Sequence, residues 1–257
     1  MLAASLGLAA GGSSPAPQTA QPAAQKMTWI EVTPPQGLAM GSSQSTFAVV
    51  TRKAGLASAL AHHHFIYAKG YSIKVESGES TRAPVSARVV FDAEALMVDD
   101  PAAIDPASSR LMEWGVDHAK FSELSDSDRK TIREGMLAEG QLWAQKFPRI
   151  EAVASDFKQR AGKVGSIETT HEAQFVFTIR GRSVTKTVPL RIVPMPGAGA
   201  PAGAAVEASE RGPFLIEGLT TARFTEFGFE PYSGFLGAVR NDDTFHFYLR
   251  TQGLWTP

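Results

Sequence analysis

A chain of 257 residues, 43% hydrophobic and 20% charged, has the composition of an ordinary globular protein and length for one large or two small domains. Its 25 basic and 26 acidic residues leave a net charge of −1, so no basic surface points to a nucleic-acid or anionic-membrane partner. The absence of cysteine excludes disulfides, thiol catalysis and Cys-ligated zinc or iron–sulfur sites.

Met1 to Ala10 (MLAASLGLAA) is a short apolar run, too short to span a membrane. It resembles the apolar region of a secretory signal ending in small residues, without the basic start, and predicts a periplasmic or secreted protein. Gly11 to Gln25 is rich in Gly, Ser, Pro, Ala and Gln and reads as a linker. Residues 1–25 are thus a signal-like segment and linker, 26–42 a lead-in interrupted by Pro34-Pro35, and 43–254 one folded domain.

Strand signals begin at Thr46 to Lys53 (TFAVVTRK), β-branched and aromatic, ending near Gly55. His62 to Glu76 (HHHFIYAKGYSIKVE) reads as one long strand with Phe65, Tyr67, Tyr71, Ile73 and Val75 at period two. Val85 to Phe91 follows after a turn. Asp92 to Phe147 breaks the pattern. It opens with loop residues around Asp99-Asp100-Pro101, and a helix then runs from an N-cap at Ser125 to about Lys146, ended by Pro148. Asp126 and Asp128 suit the positive end of its dipole, and Ile132, Met136, Leu137 and Trp143 could share a buried face.

Strands return with a short Ile150 to Asp156. His171 to Arg180 places Ala173, Phe175, Phe177 and Ile179 on one side, and Gly181-Arg182 turns the chain into Ser183 to Val193. That pattern predicts Gln174 to Arg180 paired antiparallel with Val184 to Arg191. Pro194 to Ala205 is a low-complexity loop, Phe214 to Phe229 holds one or two strands, and Thr244 to Gln252 closes with Phe245, Phe247 and Leu249 alternating. The fold class is all-β: about eight antiparallel strands forming a barrel or sandwich, with one helical insertion.

Fifteen Phe against four Tyr indicate an extensive apolar lining or core, since Phe has no polar handle. A barrel can fill its interior with such rings or keep a cavity. The small residues Ala68, Gly70 and Ser72, on the same strand face as His62, His64 and Ile66, favour a cavity. No Gly-x-Ser-x-Gly elbow, phosphate-binding loop or zincin spacing occurs. Asp99-Asp100 and Asp242-Asp243 read as turn residues. His62 and His64 could share a metal, with His171 or His246 as a third ligand, or could sit at a barrel mouth against water or a polar ligand head.

Four stretches carry a family resemblance: Gly55 to Ala68 (GLASALAHHHFIYA); Leu96 to Pro101 (LMVDDP) with Met136 to Ile150 (MLAEGQLWAQKFPRI); Phe177 to Leu190 (FTIRGRSVTKTVPL); and Glu226 to Asp243 (EFGFEPYSGFLGAVRNDD). In this order they resemble the YceI-like polyisoprenoid-binding proteins, lipocalin-like antiparallel barrels often exported to the periplasm. The likeness covers nearly all of Ser43 to Gly253, with two departures: His63 stands where the family leads one to expect Asn, and the Pro194 to Ala205 loop is longer. The resemblance implies an elongated tunnel for an isoprenoid chain and a binding or carrier role with no catalytic residue and no cofactor. The expected ligand-binding residues are His62, His64, Ile66, Ala68, Phe91, Phe175, Phe177, Ile179, Phe227, Phe245 and Phe247, with no metal ligand assigned. The expected partner is a polyisoprenoid or quinone-like lipid; a homodimer stays open. The alternatives are a metal- or haem-associated module using His62 and His64, and an enzyme acting on an apolar substrate inside the barrel.

Overall fold

The computed structural model describes residues 27–28, 45–55, 62–77, 84–194, 212–234 and 239–255. The signal-like segment, the linker, most of the lead-in and nearly all of the low-complexity loop lie outside the described residues. The strands are β1 (Met27–Thr28), β2 (Thr46–Ala54), β3 (Phe65–Ala68), β4 (Tyr71–Ser77), β5 (Pro84–Asp92), β6 (Leu96–Val98), β7 (Arg149–Val164), β8 (Ile167–Ile179), β9 (Arg182–Pro194), β10 (Gly212–Arg223), β11 (Ser233–Gly234) and β12 (Val239–Trp255). Two helices, α1 (Pro101–Glu113) and α2 (Asp126–Leu137), stand between β6 and β7. No helix among the described residues is long and apolar enough to cross a membrane.

All twelve strands join one antiparallel sheet in the order β4-β5-β7-β8-β9-β10-β12-β2-β3-β6, with β1 and β11 also pairing with β12. The sheet curls into a partial barrel, the expected all-β class, with more strands than the eight read from sequence. The central hairpin is as expected: Gln174 faces Thr187 and Ile179 faces Arg182, and Arg180 and Gly181 turn with φ of 52° and 71°. Two positive φ values in a two-residue connection match the right-handed twist of the flanking strands.

The run from His62 to Glu76 is two strands, not one. It bends at Lys69-Gly70, where the Lys69 N–H donates to the Ala95 carbonyl at 3.0 Å. The two halves then pair at opposite ends of the sheet, β3 with β2 and β6, β4 with β5. Period-two alternation continues through the bend, so the apolar pattern gives no sign of it. Across this seam the Phe47 ring meets Tyr71 at 4.9 Å and Phe91 at 5.3 Å.

Strand β7 is much longer than the short segment expected. Beyond Asp156 its residues are mostly exposed and polar, so no alternation marks them, and two register shifts interrupt the ladder with β8. The tip of this hairpin docks on the end of α1: the Ser166 N–H donates to the Glu113 carbonyl at 2.7 Å. A Cβ at Gly165 would lie 2.3 Å from that same carbonyl oxygen, which requires glycine there.

The segment read as a loop after Asp100 is helix α1. Asp100 caps it, accepting from the Ala102 N–H at 3.1 Å, and Pro101 occupies its first position. Its inward face is Ala103, Ala107 and Leu111, four residues apart. These pack with Trp114, Val116 and Ala119 over the outer side of β2, β3, β10 and β12, against Val50, Phe65, Leu219 and Tyr248. The second helix is shorter than expected. Its N-cap at Ser125 is as read, forming a reciprocal capping box with Asp128, but it ends at Leu137 and turns follow up to Phe147. Trp143 has φ of 50°, outside helical geometry, and α2 has no buried residue.

A buried carboxylate ties the outer core together. Glu217, 1% exposed, accepts from both Arg110 Nε at 2.9 Å and the Arg110 terminal nitrogen, and pairs with Arg191 and Arg250 at 3.3 Å each. The pairing ties α1 to β9, β10 and β12. Removing the acid leaves cationic groups partly buried without it, so Glu217→Ala should cost about 3–5 kcal/mol. Arg88→Ala, which breaks the exposed and water-screened Arg88–Glu151 pair, should cost far less. Denaturant unfolding of the two variants measures the difference, and equal losses would contradict the assigned role of Glu217.

Candidate functional site

The inner face of the curled sheet is both filled and open. Leu190, Phe214, Ile216, Ala154 and Ala173 belong to a packed cluster. Next to it lies a cavity of about 410 Å³. That volume lies within the roughly 300–1,000 Å³ typical of small-molecule pockets. Its wall comes from β2 (Phe47, Val49), β3 (Ile66, Ala68), β5 (Val89, Phe91), β8 (Phe175, Phe177, Ile179) and β12 (Phe245, Phe247, Leu249). Alternation explains the set: along each of these strands every second residue faces inward. Phe177 and Phe247 stack at 4.1 Å with planes 6° apart, and Phe245 meets Phe247 edge-on at 4.9 Å.

One side of the cavity is closed by α2 and the turns after it, through Ile132, Met136 and Leu142. This cover is held by few bonds. Arg133 donates from Nε to the Leu96 carbonyl at 2.8 Å and from a terminal nitrogen to the Glu94 carbonyl, and Gln141 Nε2 donates to the Glu230 carbonyl at 3.2 Å.

Of the residues expected from sequence to bind ligand, His64, Ile66, Ala68, Phe91, Phe175, Phe177, Ile179, Phe245 and Phe247 line the cavity. His62 and Phe227 are not on its wall. Phe227 is packed behind Phe245 and Phe247, each ring 6.2 Å away, and the His62 ring stands 6.5 Å from that of His64. Sequence reasoning missed the wall supplied by Phe47, Val49 and Leu249 and by the α2 segment. Alternation along β2 and β12 could have given the first three; nothing local marks α2 as a cover.

His62, His63 and His64 precede β3 instead of lying within a strand. His64 faces the cavity and its Nδ1 is 2.6 Å from Asp99 Oδ2. Asp99 is 2% exposed, and its Oδ1 also accepts from the Phe65 N–H at 2.7 Å. Asp99 is therefore no simple turn residue. Its φ of 50° is a left-handed conformation that Asp tolerates better than most residues, and this aims the carboxylate back at β3. Thirty-five positions separate the pair in sequence, so no local pattern reveals it.

His63 turns the other way. Its ring lies 4.9 Å from that of His118, which lies 5.3 Å from that of His246 on the outer face of β12. His246 thus sits across the sheet from the cavity, and the His171 Nδ1 is engaged with Thr170 Oγ1 at 2.8 Å. Neither joins His62 and His64 as a third ligand. Among the described residues no three His, Cys, Asp or Glu are grouped to hold a metal ion.

No family model matches the sequence, and no curated protein matches it. Solved structures do match. The fold overlays on Burkholderia cenocepacia BcnA with a TM-score of 0.50 at 13% identity, covering 81% of this chain and 96% of that one. A Campylobacter jejuni YCEI protein matches with a TM-score of 0.41 at 10% identity, covering 87% and 91%. A polyisoprenoid binding domain from Saccharophagus degradans matches with a TM-score of 0.42 at 7% identity, covering 83% and 94%. At such identities the likeness is one of fold alone, a curled antiparallel sheet shared with the Burkholderia cenocepacia protein.

The outer histidine row makes stability pH-dependent. Burial first, then His118 with Arg52 and Lys53, lowers His63 to about 4; burial, His118 and Arg52, against an opposing Asp117, lower His246 to about 4. An unfolded chain protonates both rings near 6.5. Between about 6.5 and 4 the unfolded state therefore binds more protons, and stability should fall as pH drops through that window. Melting temperatures across that range should show a shallower fall for His246→Phe than for the parent. Identical profiles would mean the ring does not titrate as described.

Proposed function

We propose that this chain is a YceI-like binding or carrier protein for a polyisoprenoid or a similar long apolar lipid, quinone-type lipids included, held inside the curled sheet. The observation that carries the reading is the cavity itself, walled by phenylalanine and aliphatic side chains of the curled sheet. Each methylene moved from water into such a wall contributes about 0.8 kcal/mol. A few five-carbon units therefore give a gross term on the order of 10 kcal/mol before ordering costs. Affinity can come from the chain alone, and the reading is one of binding without a reaction. The family resemblance of the four sequence stretches supports the same ligand class.

Mass spectrometry of an organic extract of the purified protein should reveal a stoichiometric isoprenoid-type lipid. Ala68→Trp tests the site. Ala68 is 7% exposed and lines the cavity beside Phe47 and Leu96. An indole placed there has empty space to enter, whereas in a filled core it would cost about 1–3 kcal/mol. The variant should lose copurifying or added isoprenoid while keeping a melting temperature close to the parent's. Strong destabilisation, with no lipid ever found in the parent, would defeat the carrier reading.

We also propose that the protein works outside the cytoplasm, on the strength of the signal-like Met1 to Ala10 and the linker after it. Fractionation of the source cells should recover a form lacking the apolar segment from the periplasm or medium. Full-length protein confined to the cytosol would overturn this.

A further inference from the structure

The apolar wall holds a polar group whose orientation is fixed from behind. His64 is latched at its backbone to β2: its N–H donates to Thr51 Oγ1 at 3.2 Å, and its carbonyl accepts from the Thr51 N–H at 2.9 Å. The ring is latched by Asp99, whose side chain is 1% exposed and whose own N–H donates to the Phe65 carbonyl at 2.9 Å. A carboxylate can only accept, so the hydrogen between the pair sits on His64 Nδ1. In the neutral ring, Nε2 then carries a lone pair and no hydrogen. Among the described residues no hydrogen bond satisfies Nε2, and it is not one of the sealed, unpartnered atoms of the interior. The ring belongs to the cavity wall, so the open nitrogen is available to whatever enters.

We propose that His64, positioned by Asp99, is the head-group subsite of this cavity, and that it selects lipids carrying a free hydroxyl, such as a prenyl alcohol or a hydroquinone. This rests on the reading of the cavity as a lipid site. A hydroxyl can donate to Nε2. An ether, an ester or a quinone carbonyl offers only lone pairs to a lone pair, and a hydrocarbon offers nothing. An acceptor left unpaired against an apolar wall is penalised, so selectivity arises from the wrong head groups as much as from the right one. Asp99 acts through the ring: it decides which nitrogen carries the hydrogen.

The test uses the full chain, delipidated on a hydrophobic resin, at alkaline pH. A four-unit prenyl alcohol, its methyl ether and the matching headless hydrocarbon are titrated calorimetrically. The alcohol should bind about three- to tenfold more tightly than the ether, the worth of one neutral hydrogen bond. In His64→Phe the ring shape remains and the preference should vanish. In Asp99→Asn the left-handed backbone is retained, because Asn tolerates it. The Asn amide can donate to Nδ1, which moves the ring hydrogen to Nε2, so alcohol and ether should bind about equally. Asp99→Asn also guards against misfolding of His64→Phe. Equal binding of all three probes by the parent would overturn the head-group proposal and leave the apolar site standing. Failure of all three to bind would overturn both. Equal binding of the alcohol and the ether by the parent, both tighter than the hydrocarbon, would show Nε2 acting as a donor and would also overturn it.

Discussion

The structure depends on closing one sheet upon itself. β4 begins the strand order and β3 and β6 end it, yet β3 and β4 are joined by only two residues, Lys69 and Gly70. That short link pulls the two ends of the sheet together, and the Phe47 ring fills the seam against Tyr71 and Phe91. Once the ends meet, every inward residue of the intervening strands faces the same interior. Curvature therefore creates the cavity, and α2 covers the side it leaves open. Its walls are apolar because the inward positions are buried by closure, whatever they later contact.

The opposite face of part of the same sheet is equally apolar. Phe214 through Leu219 on β10 are all buried, with no polar-out alternation, because α1 covers their outer side. Glu217 interrupts that run, and the guanidinium of Arg110 from the covering helix meets it. The helix is held by three small or aliphatic contacts, this ion pair and the β7–β8 hairpin tip at its end. The wall behind β2, β10 and β12 is thus rigid, whereas the wall formed by α2 contributes no buried residue and rests on a few bonds to backbone carbonyls. Segments with few buried contacts open at the lowest free energy.

Much of this was legible in the sequence where a local rule acts alone. Alternation of Phe175, Phe177 and Ile179 gave the inward face of β8, Gly181 gave the hairpin, and Ser125 gave the start of α2. The rest was hidden where two demands overlap. Pro106 and an alanine-based face disguised α1, although Asp100-Pro101 is a proper helix start. Strand β7 outran its apolar pattern because its far half is solvated on both sides. The bend at Lys69-Gly70 kept the period of a continuous strand. The Asp99–His64 pair depends on a left-handed residue and on a chain return from β6, neither of which leaves a local mark.

The histidine triplet shows how a barrel turns sequence adjacency into separation. Consecutive side chains near an extended segment point to opposite faces of the sheet. His63 and His64 therefore belong to different chemical environments although they are neighbours in the chain. His63 joins His118 and His246 under α1's continuation, where burial and nearby basic groups favour the neutral forms of His63 and His246. His64 enters the cavity, where a buried carboxylate fixes its hydrogen. The metal reading joined His62 and His64 to His171 or His246, but His246 lies across the sheet with His118 and the His171 Nδ1 is engaged with Thr170 Oγ1. What the sheet permits is one imidazole facing an apolar interior, oriented from outside that interior by a residue the ligand need not touch.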